Sequence, residues 1–99
     1  MEGAWRCMIV RYRAQALADI DEIDRYLRER SPTSALNVLR AINSSIDKIA
    51  AWPLANPRTQ DPDIRVKLET RYRYKIFHRV MEDAVVILHV RHRARQPWP

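Results

Sequence analysis

Leu27-Arg28-Glu29-Arg30-Ser31-Pro32-Thr33-Ser34-Ala35-Leu36 is the stretch on which the fold turns. It closes one helix and opens another within a few residues. Upstream, Leu17, Ile20, Ile23 and Leu27 recur at helical spacing, with Asp19, Asp21, Glu22, Asp24 and Arg25 between them. The acids come early and Arg25, Arg28 and Arg30 come late, which matches the two ends of a helix dipole. Ser31 then has the chemistry of an N-cap, and Pro32 suits a first helical position, where no backbone N–H is needed. Downstream, Ala35, Leu36, Leu39, Ile42, Ile46 and Ile49 form a second apolar stripe that ends near Trp52-Pro53. Two amphipathic helices joined by so short a turn lie antiparallel, since neither can bury its stripe alone.

Outside this hairpin the period changes to alternation. Ile9-Val10-Arg11-Tyr12-Arg13 alternates apolar and basic, as a half-buried strand does. Pro53, Pro57 and Pro62 mark an irregular connection after the second helix. Ile64-Arg65-Val66-Lys67-Leu68-Glu69 alternates strictly, and 72–80 has the aromatic and β-branched residues of a strand. Glu82-Asp83 supplies a hairpin turn without the favoured glycine, and Val85-Val86-Ile87-Leu88-His89-Val90 is apolar on both faces, as a central strand is. The expected fold is α+β, in the order β-α-α-β-β-β, with the helical hairpin on one face of an antiparallel sheet. Arg65, Lys67, Arg73, Lys75 and Arg79 lie opposite apolar positions, so the open face of that sheet is expected to be cationic. The chain is one domain, 1–99, with 1–7 a loose extension and Met8 an alternative start.

Composition removes several functional classes. The one glycine, Gly3, leaves no Gly-rich phosphate loop. Cys7 is the only cysteine, so neither an intramolecular disulfide nor a zinc framework can form, and a reducing compartment is expected. No apolar run reaches membrane-spanning length and no signal-peptide pattern opens the chain, so the expected location is the cytoplasm. No metal or cofactor is expected. The net charge of +6 points to an acidic partner: nucleic acid, an enzyme that handles it, or an acidic protein tail.

Four pieces of sequence, in this order, resemble the RelE/ParE superfamily of bacterial toxins. They are Ala18-Asp19-Ile20-Asp21-Glu22-Ile23 with Tyr26-Leu27, and the helix ending at Trp52-Pro53. They are also Tyr74-Lys75-Ile76-Phe77-His78-Arg79-Val80 after Ile64-Arg65, and Val86-Ile87-Leu88-His89-Val90-Arg91-His92-Arg93-Ala94-Arg95. The likeness runs from about residue 9 to 95. It departs at Pro57-Arg58, where the family's glycine is absent, and at Phe77, which replaces the commoner tyrosine. The resemblance implies the toxin of a type II toxin–antitoxin pair, which arrests growth or stabilises a plasmid and is silenced by an antitoxin made beside it.

The superfamily holds two activities. RelE-like members cleave mRNA in the ribosome, and ParE-like members poison DNA gyrase. RNA cleavage needs cations for the phosphorane and a group that moves protons. Arg65, Lys67, Arg73, Arg79, Arg91 and His92 would supply these, His92 being a base kept neutral by its cationic neighbours. His78 and His89 have the register of packed histidines, and the basic strand residues also fit plain solvated positions. The long, tightly joined helices resemble the ParE branch, with a ParD-like antitoxin. There the target-binding set is Arg91, His92, Arg93, Arg95 and Trp98, with no catalytic residue. Trp5, Trp52 and Trp98 are possible anchors for a partner, although Trp52 fits helix-end core packing better. A plain nucleic-acid-binding domain is the third reading. It is disfavoured because Tyr72 and Tyr74, the residues for stacking, share the core register of Ile76.

Overall fold

A computed structural model describes residues 7–93. Its order is β1 (Ile9–Tyr12), α1 (Ala14–Arg28), α2 (Pro32–Ala51), β2 (Arg65–Glu69), β3 (Tyr74–Val80) and β4 (Ala84–His92). The hairpin forms as its sequence dictates. Ser31 is extended, its Oγ accepts the Ser34 N–H at 3.2 Å, and Pro32 opens α2. The strands form one sheet in the order β1-β4-β3-β2.

The sheet is mixed, not wholly antiparallel. β2, β3 and β4 pair antiparallel, but β1 runs parallel to β4, with Ile9 opposite Ala84 and Tyr12 opposite Ile87. The path explains this. α1 carries on past β1 along β4, and α2 returns, so that the Ala50 carbonyl accepts the Met8 N–H. Three antiparallel strands that start from that end leave the third, β4, pointing the same way as β1.

Because β1 stops at Tyr12, the second half of β4 has an uncovered edge. Helix α1 takes the place of the missing strand. Arg13 N–H donates to the Ile87 carbonyl, and Asp19, buried in α1, accepts the Val90 N–H at 3.0 Å. A side-chain carboxylate thus continues the ladder where backbone runs out. Of the expected stripe of α1, Ile20, Ile23 and Leu27 face the core and Leu17 does not. Ala16, Asp19 and Ile23 are buried, whereas Leu17 is 54% exposed.

The core lies between the hairpin and one sheet face, built on Ile23, Val38, Ile42, Ile46, Ile49, Tyr74, Ile76, Val85, Ile87 and Val90. The last three are spaced by two and then three residues. A bulge in β4 accounts for this, since Phe77 pairs with His89 and His78 with Ile87, leaving Leu88 extra. Tyr74 is core and Tyr72 packs against it, as their register implies.

The register also divides the expected cationic face. Residues paired across strands share a face. Arg65 pairs with His78 and Lys67 with Ile76, so both belong to the helix side of edge strand β2. Lys75 and Arg79 alternate with these positions and stand on the outer face, while Arg73 lies in the β2–β3 turn. Trp52 is not packed in the core as expected. It follows α2 as its C-cap residue, in a non-helical conformation, with 62% of its surface exposed.

Candidate functional site

Five cations gather where the β2–β3 turn meets the end of β4: Arg71, Arg73, Lys75, Arg91 and Arg93. Backbone geometry brings them together. Glu69, buried at the end of β2, accepts the N–H groups of Arg71 at 3.0 Å and Tyr72 at 2.9 Å. The turn closes with Arg73 at φ 69°, a left-handed conformation that costs a non-glycine residue about 1–2 kcal/mol. Its carbonyl then accepts the Arg93 N–H at 2.8 Å, tying the turn to the end of β4. Lys75 and Arg91 are directly paired across β3 and β4. Like charges at such a pair are destabilising, and a carboxylate near one of them offsets that cost.

Arg91 is steadied from behind. One Nη lies 3.6 Å from Asp19 Oδ1, and the other lies 3.5 Å from His89 Nδ1. Gln15 donates to the same Asp19 oxygen at 2.8 Å. Asp19 therefore holds the β4 backbone, Arg91 and α1 in one arrangement.

The three histidines differ. His78 is fully buried, its Nδ1 donates to the Ile76 carbonyl at 3.0 Å, and its Nε2 has no hydrogen-bond partner among the described residues. Burial pushes its pKa down, and Arg65 and Lys67 add to this. It is a packed histidine, as its register implies. His89 is partly exposed, and burial and Arg91 lower its pKa against the opposing pull of Asp19. His92 sets its ring edge-on to Tyr74, with centroids 5.0 Å apart.

The residues suggested for RNA cleavage do not all converge. Arg73 and Arg91 join the basic end, whereas His92 pairs with core residue Tyr74 and lies on the other face of the sheet from Arg91. Arg65 lies at the far end of the sheet, its Nη1 donating to the Asn56 carbonyl at 2.6 Å. Arg79 is there too, lining the same cleft as Arg65, and Lys67 stands midway along β2. In the target-binding set, Arg91, His92 and exposed Arg93 are contiguous, and Arg95 and Trp98, like Trp5, lie outside the described residues. Sequence reasoning missed Asp19 and Glu69 as anchors and Arg71 as a member of the cluster. Asp19 was detectable in principle, since an acid three residues after Ala16 and four before Ile23 sits inside a helical stripe.

A second surface lies on the hairpin. Tyr12, Leu17, Ile20, Leu39, Ile42 and Ile46 line an apolar groove of about 380 Å³ between the helices. No described helix is long and apolar enough to cross a membrane, and no described cluster of three or more His, Cys, Asp or Glu could hold a metal ion.

Comparisons with known proteins agree with this geometry. Among solved structures, the chain is similar to one from a chromosomal ParDE toxin–antitoxin system of P. aeruginosa. The TM-score is 0.74 at 21% identity, covering 87% of this chain and 96% of that one. It is also similar to one from the RelBE2 toxin–antitoxin complex of Mycobacterium tuberculosis, with TM-score 0.62 at 22% identity, covering 89% and 93%. Both likenesses concern the fold, and they span both branches of the superfamily. In sequence it is 31% identical over 90 residues to a Sinorhizobium fredii protein named "Putative toxin Y4kP", covering 91% of this chain and 92% of that protein. The family model for the ParE toxin of the type II toxin–antitoxin system parDE matches residues 10–97, from the first strand through the basic end. With that match over nearly its whole length, and with the fold and the ordered basic end to go with it, the chain belongs to the ParE toxin family of type II toxin–antitoxin systems.

Proposed function

We propose that this toxin acts in the cytoplasm by poisoning DNA gyrase, and that a ParD-like antitoxin silences it. The observation that carries this reading is the basic end of the sheet. Exposed Arg71, Arg73 and Arg93 surround the like-charged pair Lys75 and Arg91 on a backbone fixed by Glu69 and Asp19. Such a surface attracts a large acidic partner over a distance and orients it on contact. Gyrase engaged with its DNA is a partner of that kind. The antitoxin's place is the apolar groove of the hairpin, which suits one face of an amphipathic helix that folds as it binds.

Purified gyrase tests the proposal. The toxin is expected to trap cleaved DNA and block supercoiling while leaving ribosome-bound mRNA intact. Cut mRNA with normal supercoiling would overturn it.

One observation favours the second reading, a ribosome-dependent endoribonuclease. His89, whose lowered pKa keeps it neutral, lies beside Arg91, so a base and a phosphate-binding cation are neighbours. The same pair of assays, run on His89→Gln, separates the two. Loss of mRNA cleavage in that variant is expected only under the nuclease reading.

A further inference from the structure

The other end of the sheet holds a second concentration of charge, of a different form. Arg58, Arg65 and Arg79 line a cleft of about 420 Å³ with Leu54 and Met81 among its apolar walls. Arg58 comes from the loop after α2, and Arg58 and Arg65 are bridged by their backbones. Arg65 is already set in place, because its Nη1 donates to the carbonyls of Asn56 at 2.6 Å and Leu54 at 3.4 Å. Arg79 is partly buried, and its Nε is closed off from solvent with no hydrogen-bond partner among the described residues. None of the three arginines has an ion pair among the described residues. Asp63 also lines the cleft, so the local balance is three cations against one anion, net +2.

Cations that line one cleft repel one another, and shutting one nitrogen from water removes hydration without replacing it. An anion between them reverses both costs. Arginine forks match the oxygens of a phosphate in pairs, and that geometry is more selective than a lysine's point charge. The cleft is larger than a bare phosphate needs and is of the size found for small organic ligands. Leu54 and Met81, 68% and 49% exposed, offer apolar surface beside the charge.

We infer that this cleft binds the phosphate of a nucleotide, with Arg58, Arg65 and Arg79 holding the phosphate and Leu54 and Met81 flanking the nucleoside. The site is separate from the basic end, and it stands whether gyrase or the ribosome is the target. The phosphate can come from a free mononucleotide or from the phosphorylated end of a nucleic acid strand.

Titration of the full chain with adenosine 5′-monophosphate, followed by amide NMR, tests the inference. Saturable shifts centred on residues 58, 65 and 79 are expected, with none from adenosine. Arg58→Gln and Arg79→Gln are each expected to weaken binding roughly tenfold, the worth of one charge-assisted hydrogen bond. Arg65 is left intact because it holds the loop, and the unchanged spectrum of each free variant reports that it is folded. Shifts centred on Arg71, Arg73 and Arg93, or wild-type affinity in both variants, would overturn the site. A 5′-phosphorylated oligonucleotide that binds tighter than the mononucleotide assigns the site to strand ends, and the reverse order assigns it to free nucleotides. An oligonucleotide that binds equally well with a 5′-hydroxyl and a 5′-phosphate would also overturn it.

Discussion

The two ends of the sheet are both cationic, and they differ in what surrounds the charge. At the β2–β3 turn, Arg71, Arg73 and Arg93 stand in solvent on a backbone held by two buried carboxylates. At the opposite end, Arg58, Arg65 and Arg79 line a cleft with apolar walls and one carboxylate. Open charge is screened by salt within about 8–10 Å, and it acts mainly on encounter and orientation. Guanidiniums that share a cleft act at contact, where a few hydrogen bonds select one group. A net charge of +6 therefore conceals two kinds of site, one suited to a macromolecule and one to a single phosphate.

Asp19 is the largest lever on this contrast, since only the open end depends on it. Asp19→Ala leaves the Val90 N–H without its acceptor and takes the carboxylate away from Arg91 and Gln15. The expected cost is about 3 kcal/mol of folding stability, as for other buried hydrogen-bonded charges that lose a partner. Asp19→Asn keeps an acceptor for Val90 and should cost about half as much. Urea unfolding measures both, and equal losses would mean that the charge matters more than the hydrogen bond. Next in size is the joint replacement of Arg91, Arg93 and Arg95 by alanine. Cations at a solvated interface contribute up to about 1 kcal/mol each, so affinity for the target should fall by up to about a hundredfold. Lys48→Ala, which removes an exposed cation on α2, serves as the control in the same growth-arrest and trapping assays. Undiminished arrest in the triple variant would remove the basic end from the mechanism.

The sequence made the open end visible and hid the cleft, for physical reasons. Arg91, His92 and Arg93 are contiguous in the chain, so their clustering needs no fold. The helix hairpin was equally legible, because Ser31-Pro32 acts locally on the backbone. The parallel pairing of β1 was not, since strand direction depends on where α2 returns the chain. Nor was the division of Arg65 and Lys67 from Lys75 and Arg79, which follows from pairing register between strands. Asp19 lies 71 residues from Val90, and no local pattern announces that contact. Arg58, Arg65 and Arg79 come from a loop and two strands, and only the fold makes them one site.

Acid should weaken the protein through its buried histidine, on the cleft side of the contrast. The folded state holds the pKa of His78 below its ordinary value, chiefly by burial, with Arg65 and Lys67 adding to it. The unfolded chain then binds a proton as pH falls through about 6.5, and the folded chain binds it only at lower pH. Stability is thus complete above that pH and is lost below it, by at most about 1.4 kcal/mol per pH unit for one such group. His89 is lowered too and adds in the same direction, less strongly because it is partly exposed. Denaturation midpoints measured between about pH 7 and pH 5 should fall, and the fall should be smaller in His78→Leu. An equal fall in that variant would shift the effect to His89 and the open end.

The smallest expected effect falls on the turn that builds the open end. Arg73 occupies a left-handed conformation at φ 69°, which glycine adopts freely. Arg73→Gly should recover about 1–2 kcal/mol of backbone strain and lose about 0.5–1 kcal/mol to the greater freedom of the unfolded chain. The net is a stabilisation of between about 0 and 1.5 kcal/mol, read as a slightly higher melting temperature. Binding of the target should weaken at the same time, because one exposed cation is gone. Opposite movements of stability and activity would identify Arg73 as a residue kept for its charge against the preference of its own backbone. If both move down together, the arginine side chain also supports the turn, and the open end is held by more than Glu69 and Asp19.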